Sequence, residues 1–296
     1  MSAKKKIFEG AMVALVTPFR SGKVDEKALR GLLDFHLQAR TDVVIPCGTT
    51  GESATLSHEE HRRIMSLAVE YAGARVPVVC GAGSNNTSEA LGLLQHAKKV
   101  KAAGVLVVTP YYNKPTQEGL YRHYEFLASR VEIPIILYNV PGRTGVSLAP
   151  ATVARLAKIP TIVAIKEASG SLDQVDQILN SCDLTVLSGD DPLTLPMMSL
   201  GARGVISVTA NVVPHLVRDL VHRAFDGNWD EALQIHRELY DLSKALFIET
   251  NPIPVKTALG LMGKIRPELR LPLVPMSQDS QKKLEDVLKK MGLTKS

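Results

Sequence analysis

Apolar residues in this chain gather in eight short runs, many of them β-branched. The runs cover residues 12–16, 43–45, 76–80, 105–109, 133–138, 162–166, 185–188 and 204–207. Most are continuous rather than alternating, as expected for strands covered on both faces. Segments with helical spacing lie between them, at 26–38, 59–71, 87–101, 117–129, 149–157, 172–179, 192–200 and 212–225. Ser57 before Glu60, and Thr87 or Ser88 near Glu89, predict two helix starts.

Eight alternating units predict an α/β fold, a closed (β/α)8 TIM barrel. An open doubly wound sheet would carry a glycine fingerprint at its switch point, and no GxGxxG opens any helix. Residues 1–227 are therefore assigned to the barrel and 228–296 to a C-terminal helical extension. The extension reads as three helices punctuated by Pro252, Pro254, Pro267, Pro272 and Pro275. Its expected role is packing on the barrel or on a partner subunit.

Composition narrows the class. Apolar residues make up 45% and charged residues 22%, which excludes a disordered chain. The net charge of +5 comes from scattered basic residues, and aromatics are 5%, so a nucleic-acid partner is not expected. The densest basic run is Lys4-Lys5-Lys6, and Glu9 and Gly10 break the apolar stretch that a signal peptide would need. No apolar run approaches the ~18 residues of a membrane span. Cys47, Cys80 and Cys182 stand apart and read as reduced thiols of a cytoplasmic protein.

In such a barrel, chemistry sits where strands end. Polar and glycine-rich residues do collect there: Gly48-Thr49-Thr50-Gly51 after the second strand, Tyr138-Asn139 at the end of the fifth, Lys166-Glu167 closing the sixth, and Gly189-Asp190-Asp191 after the seventh. Lys166 ends an apolar strand and would point into the barrel. Loss of hydration there disfavours the ammonium and favours an amine that attacks a carbonyl. The competing reading is a lysine paired with Glu167 or reaching out to water. Tyr138, one strand away, could move protons on such an adduct, or it could be a core tyrosine. The glycine–threonine loop offers N–H groups and hydroxyls to a carboxylate, and Arg143 offers a fork to a second one. His58-Glu59-Glu60-His61 lacks the i, i+4 histidine spacing of a zinc hydrolase, so no metal is expected. His36 and His96 read as solvated helix positions.

Gly48-Thr49-Thr50-Gly51-Glu52, Pro110-Tyr111-Tyr112-Asn113, Tyr138-Asn139-Val140-Pro141 with Arg143-Thr144-Gly145, and Ile165-Lys166-Glu167 together resemble the dihydrodipicolinate synthase family. That family sits in the class I pyruvate-dependent aldolase and N-acetylneuraminate lyase superfamily. The resemblance spans nearly the whole barrel. Thr49-Thr50 and Arg143 favour the synthase branch.

The resemblance implies a Schiff base between Lys166 and pyruvate, condensation with L-aspartate 4-semialdehyde, and no cofactor. It implies a proton relay of Tyr138, Thr49 and Tyr112, with Tyr112 supplied by a neighbouring subunit. Thr49 and Thr50 would hold the pyruvate carboxylate, Arg143 that of the second substrate, and carbonyls near Gly189 and Ile206 would complete the pocket. Ala54, His58, His61, Asn85, Glu89 and Tyr111 match the site through which lysine-inhibited members bind L-lysine. A homotetramer, built as a dimer of dimers, is implied as well. Two other readings stay open at this stage: a related aldolase acting on N-acetylneuraminate or 2-keto-3-deoxygluconate, and a silent barrel that binds lysine without turnover.

Overall fold

Runs of apolar residues bounded by turn signals form strands here because both of their faces are covered. The computed structural model describes residues 8–294, and the Lys4-Lys5-Lys6 run lies outside the described residues. Strand β1 (Gly10–Ala14) is followed by a small hairpin, β2 (Phe19–Arg20) and β3 (Lys23–Val24). Seven more strands complete the sheet: β4 (Val43–Ile45), β5 (Val79–Gly81), β6 (Gly104–Val108), β7 (Ile135–Asn139), β8 (Ile162–Glu167), β9 (Thr185–Ser188) and β10 (Gly204–Ser207). Their spatial order is β4-β1-β10-β9-β8-β7-β6-β5, and every paired neighbour is parallel. A parallel bridge between Val44 and Val78 joins the two ends, with Gly81 N donating to Pro46 O at 2.9 Å. The predicted barrel is therefore present.

Closure sorts each strand into two rows. Met12, Ile45, Val79, Leu106, Ile136 and Leu187 belong to the interior cluster. Val13, Val44, Val105, Leu137, Ile165 and Val186 belong to the larger shell between strands and helices. Burial of both rows hides the alternation in the sequence.

The helices on that shell are α1 (Glu26–Gln38), α2 (His58–Ala72), α3 (Thr87–Lys99), α4 (Gln117–Arg130), the single turn α5 (Pro141–Thr144), α6 (Pro150–Leu156), α7 (Leu172–Ser181), α8 (Thr194–Leu200) and α9 (Pro214–Phe225). The Ser57–Glu60 capping box forms as expected. The start of α3 differs from expectation: Asn86 is its cap, accepting from Ser88 N at 2.9 Å. The third strand begins at Val79, because Pro77 has no N–H for a ladder. His36 is also corrected. It continues the buried row Leu29, Leu32, Leu33 of α1, is fully buried, and meets Thr41 Oγ1 at 3.0 Å through Nδ1. Burial, aided by the Lys264 charge, pulls its pKa down to about 3. His96 is half-buried against Ser66 Oγ at 2.9 Å.

The extension forms α10 (Trp229–Ala245), α11 (Ile253–Leu261) and α12 (Gln278–Lys290). α10 packs on α9, and α12 on both α10 and α11. The chain between α11 and α12 returns to the barrel, where Arg270 forks onto Glu60 at 2.6 and 2.7 Å. That hydrogen-bonded guanidinium pulls the Glu60 carboxyl down to about 2. A depressed carboxyl stabilises the fold above its ordinary value of 4.5, and the contribution is lost as pH falls toward 2. Glu60→Gln keeps a capping side chain. It is expected to lower the melting temperature near neutral pH by a few degrees. The gap to wild type should close as pH falls from 4.5 toward 2, as read by thermal unfolding.

Candidate active site

Lys166 sits in the interior row at the C-terminal end of β8 and is 5% exposed. Among the described residues no carboxylate forms an ion pair with it. Its Nζ lies 4.4 Å from the centroid of the Tyr138 ring. Glu167, the next residue, points to the other face, as strand alternation requires. There it accepts from Asn139 Nδ2 at 3.0 and 3.1 Å, Gln174 Nε2 at 3.0 Å and Ser169 N at 2.7 Å. The pairing of Lys166 with Glu167 is thus excluded.

One irregularity aligns the amine with the phenol. β7 and β8 pair Ile135 with Ile162, then Ile136 with Ala164, so Val163 is an extra residue. Beyond it Tyr138 pairs with Lys166. Without the bulge Tyr138 would face Ile165, and Lys166 would fall into the outer row. Gly189 gives the lysine its space. A Cβ there would stand 2.9 Å from Lys166 Cε and 2.6 Å from Ala168 Cβ.

The glycine–threonine loop closes on itself over the end of β4. Gly51 N donates to Gly48 O at 3.1 Å, and Glu52 N to Thr49 O at 3.0 Å. The loop's own bonds use neither the Thr49 nor the Thr50 N–H. Two such groups in sequence make a nest for an anion. Thr50 Oγ1 accepts from Asn251 Nδ2 at 3.0 Å, which leaves the Thr50 hydroxyl proton to donate elsewhere. The Asn251 carbonyl accepts from Arg143 Nη2 at 3.2 Å. Among the described residues, Asn251 Oδ1 is buried without a partner.

These groups meet at a cavity of about 260 Å³ lined by Lys166, Tyr138, Thr49, Thr50, Arg143 and Gly189. Asp190, Lys244, Phe247 and Asn251 share its wall. Burial raises the Asp190 carboxyl, and the Asp191 charge adds to this. Asp191 is held by Val208 N at 2.9 Å, Thr209 N at 3.2 Å and the Ser207 hydroxyl. Ile206 belongs to the barrel interior, and Val208 lines the cavity two residues on. Tyr112 does not join the cavity: it is 89% exposed, at φ 74°.

A larger cavity of about 500 Å³ adjoins the first and shares Thr49, Val140, Arg143 and Asn251 with it. Ala54, His58, His61, Glu89 and Tyr111 line it. Asn85 stands outside the lining, where its carbonyl accepts from Asn113 Nδ2 at 2.9 Å. His61 is buried, meets Gly81 O at 2.8 Å through Nε2, and is pulled down by burial. Ser84 Oγ donates to Glu89 at 2.8 Å, a contact absent from the expected set.

The sequence matches the Dihydrodipicolinate synthetase family over residues 7–291. The chain belongs to that family. Among curated relatives, the 4-hydroxy-tetrahydrodipicolinate synthase of Geotalea daltonii is 56% identical over 289 residues, covering 97% of this chain and all of that protein. The crystal structure of dihydrodipicolinate synthase from Aquifex aeolicus superposes with a TM-score of 0.96 at 51% identity, covering 97% of this chain and 99% of that one. That of dihydrodipicolinate synthase from Cyanidioschyzon merolae with lysine bound superposes at 0.94 and 39% identity, covering 98% of this chain and all of that one.

Family membership agrees with the resemblance read from the barrel motifs. Asn251, Lys244 and Phe247 were not singled out there. Their segment reads only as packing, and no local pattern marks a residue that returns to the barrel mouth. Gly189→Ala falls at a φ that suits any residue, but its Cβ would crowd both Ala168 and Lys166, so thermal unfolding is measured beside it. The substitution should displace the Lys166 chain. Trapping of a 2-oxoacid on Lys166 by borohydride is expected to slow by about tenfold or more, the cost of a misplaced reacting group.

Proposed function

We propose that this chain joins pyruvate to L-aspartate 4-semialdehyde through an imine on Lys166, the activity named for its 56%-identical relative. The observation that carries this reading is a buried amine, in register with a phenol, on the wall of a cavity that the Thr49–Thr50 loop also lines. Lys166 Nζ adds to the ketone carbon of pyruvate, and water leaves. Loss of a methyl proton turns the imine into an enamine, the protonated nitrogen acting as the electron sink. The enamine carbon attacks the aldehyde carbon, and the aldehyde oxygen takes up a proton. The amine of the second substrate then adds to the imine carbon. The bond to Lys166 breaks, and the free amine returns.

Tyr138 and Thr49 would move these protons, completed by Tyr112 of a neighbouring subunit. Exposure of Tyr112 supports a partner's use of it. Thr49 and Thr50 hold the oxoacid carboxylate, Arg143 the second carboxylate, and carbonyls near Gly189 and Ile206 close the pocket. A homotetramer acting in cytoplasmic lysine and diaminopimelate biosynthesis fits this chemistry, which calls on no metal or organic cofactor. Among the described residues no helix is long and apolar enough to cross a membrane.

The decisive test is borohydride reduction in the presence of pyruvate. Wild type is expected to gain one pyruvate-derived mass per chain, at Lys166, and Lys166→Ala none. Unlabelled wild type would overturn the reading. Turnover of the semialdehyde, set against N-acetylneuraminate and 2-keto-3-deoxygluconate, separates it from the sugar-acid alternative.

The larger cavity supports regulation by L-lysine. Glu89 can pair with an ammonium, while Tyr111 and His58 can meet a carboxylate. Asn85 and His61 would frame the site with Ala54. Initial rates near half-saturation of both substrates are expected to fall in millimolar L-lysine. Unchanged rates would remove this part of the proposal.

A further inference from the structure

The segment after Gly51 ends on a charge pair that takes no part in the chemistry above. Glu52 and Lys256 have side chains with no exposed area, and Lys256 Nζ meets Glu52 Oε1 at 2.5 Å. Lys256 Nζ also lies 4.2 Å from the centroid of the Phe19 ring. The other carboxylate oxygen, Glu52 Oε2, accepts from Arg270 N at 3.2 Å. Each oxygen of the Glu52 carboxylate is thus held by a group from outside the loop.

Glu52 itself is strained into the left-handed region, at φ 53°. Its backbone N–H ties back to Thr49 O at 3.0 Å, and its carbonyl accepts from Thr55 N at 3.0 Å. The side chain therefore anchors a backbone position that dictates where the Thr49 peptide lies. The same C-terminal segment carries Asn251, whose amide meets Thr50 Oγ1 at 3.0 Å. Lys256 and Asn251 grip the loop from both ends.

A buried ion pair contributes little net stability compared with apolar side chains of similar volume. In some proteins such a pair is kept because it favours one geometry over others of similar energy. A general structural role would be met as well by an apolar pair.

We propose that Lys256 is a positioning residue for the active site: through Glu52 it fixes the carboxylate-holding loop at Thr49 and Thr50. This rests on the reading that the loop receives the carboxylate of a 2-oxoacid bound to Lys166. Neither residue lines the smaller cavity, so the effect on the ligand is indirect.

Two variants test it. Glu52→Gln with Lys256→Met removes both charges and leaves no ion unpaired. Glu52→Asp keeps both charges and draws the carboxylate back from Lys256 by one methylene, so it reads the same geometry if the double variant does not fold. Pyruvate is titrated in the presence of borohydride, and labelling of Lys166 is read by mass spectrometry. Thermal unfolding and circular dichroism report the fold. The expected result is a folded protein whose half-saturating pyruvate concentration rises about tenfold, with full labelling still reached at high pyruvate. The KM for the semialdehyde should stay within about twofold of wild type. Folded variants that label at the wild-type pyruvate concentration would overturn the inference and leave the imine reading intact. Failure of wild type itself to label would instead remove the imine reading on which the inference rests.

Discussion

One residue of register in β8 governs the active end of the barrel. In a closed parallel sheet the inner row is dry, and only the row in which a side chain falls decides whether it meets the cavity or the helices. Val163 shifts the rest of β8 by one position against β7. That shift brings Lys166 inward beside Tyr138, and it turns Glu167 outward into a set of hydrogen bonds from Asn139, Gln174 and Ser169. A charge-bearing group placed in this row without an ion pair is unfavourable. The surrounding sheet holds it there because the same register satisfies the neighbouring carboxylate completely.

Around that amine the wall is built from distant parts of the chain. Asn251 reaches Thr50 across 201 residues, and Lys256 reaches Glu52 across 204. The extension is therefore part of the cavity wall as well as packing for the shell. This division of labour follows from the barrel itself. Loops at strand ends carry unsatisfied polar groups, and a loop with two free N–H groups needs support that does not consume them. Side chains from outside the barrel supply that support.

Sequence patterning carries the barrel well. Eight apolar runs separated by helical spacing fix the strand count, and a lysine closing an apolar run stands out against its neighbours. The glycine–threonine loop is visible as well, since its residue types are those a tight turn and a carboxylate require. Contacts made over long separation leave no such mark. Asn251 looks like any polar residue before a proline, Lys256 like any lysine in a helix, and the bulge at Val163 like one more β-branched residue in a strand. His36 was legible in principle, since its spacing from Leu29, Leu32 and Leu33 continues one helix face. Reading it as solvated gave residue type more weight than position. Tyr112 is different again: the chain leaves it in solvent, so the relay proposed for it calls on a second subunit.

The two cavities add a last constraint. Thr49, Val140, Arg143 and Asn251 belong to both walls. Thr49 and Arg143 are the groups proposed to meet the two substrates, and Asn251 ties Arg143 to Thr50. A molecule filling the larger cavity meets the smaller one through these shared residues. It acts only by binding one arrangement of this shared wall more tightly than another. The wall offers a physical route for that preference, because moving the Asn251 backbone moves the partner of Arg143 and the partner of Thr50 together. That route lies within one chain, because Asn251, Thr50 and Arg143 all belong to it.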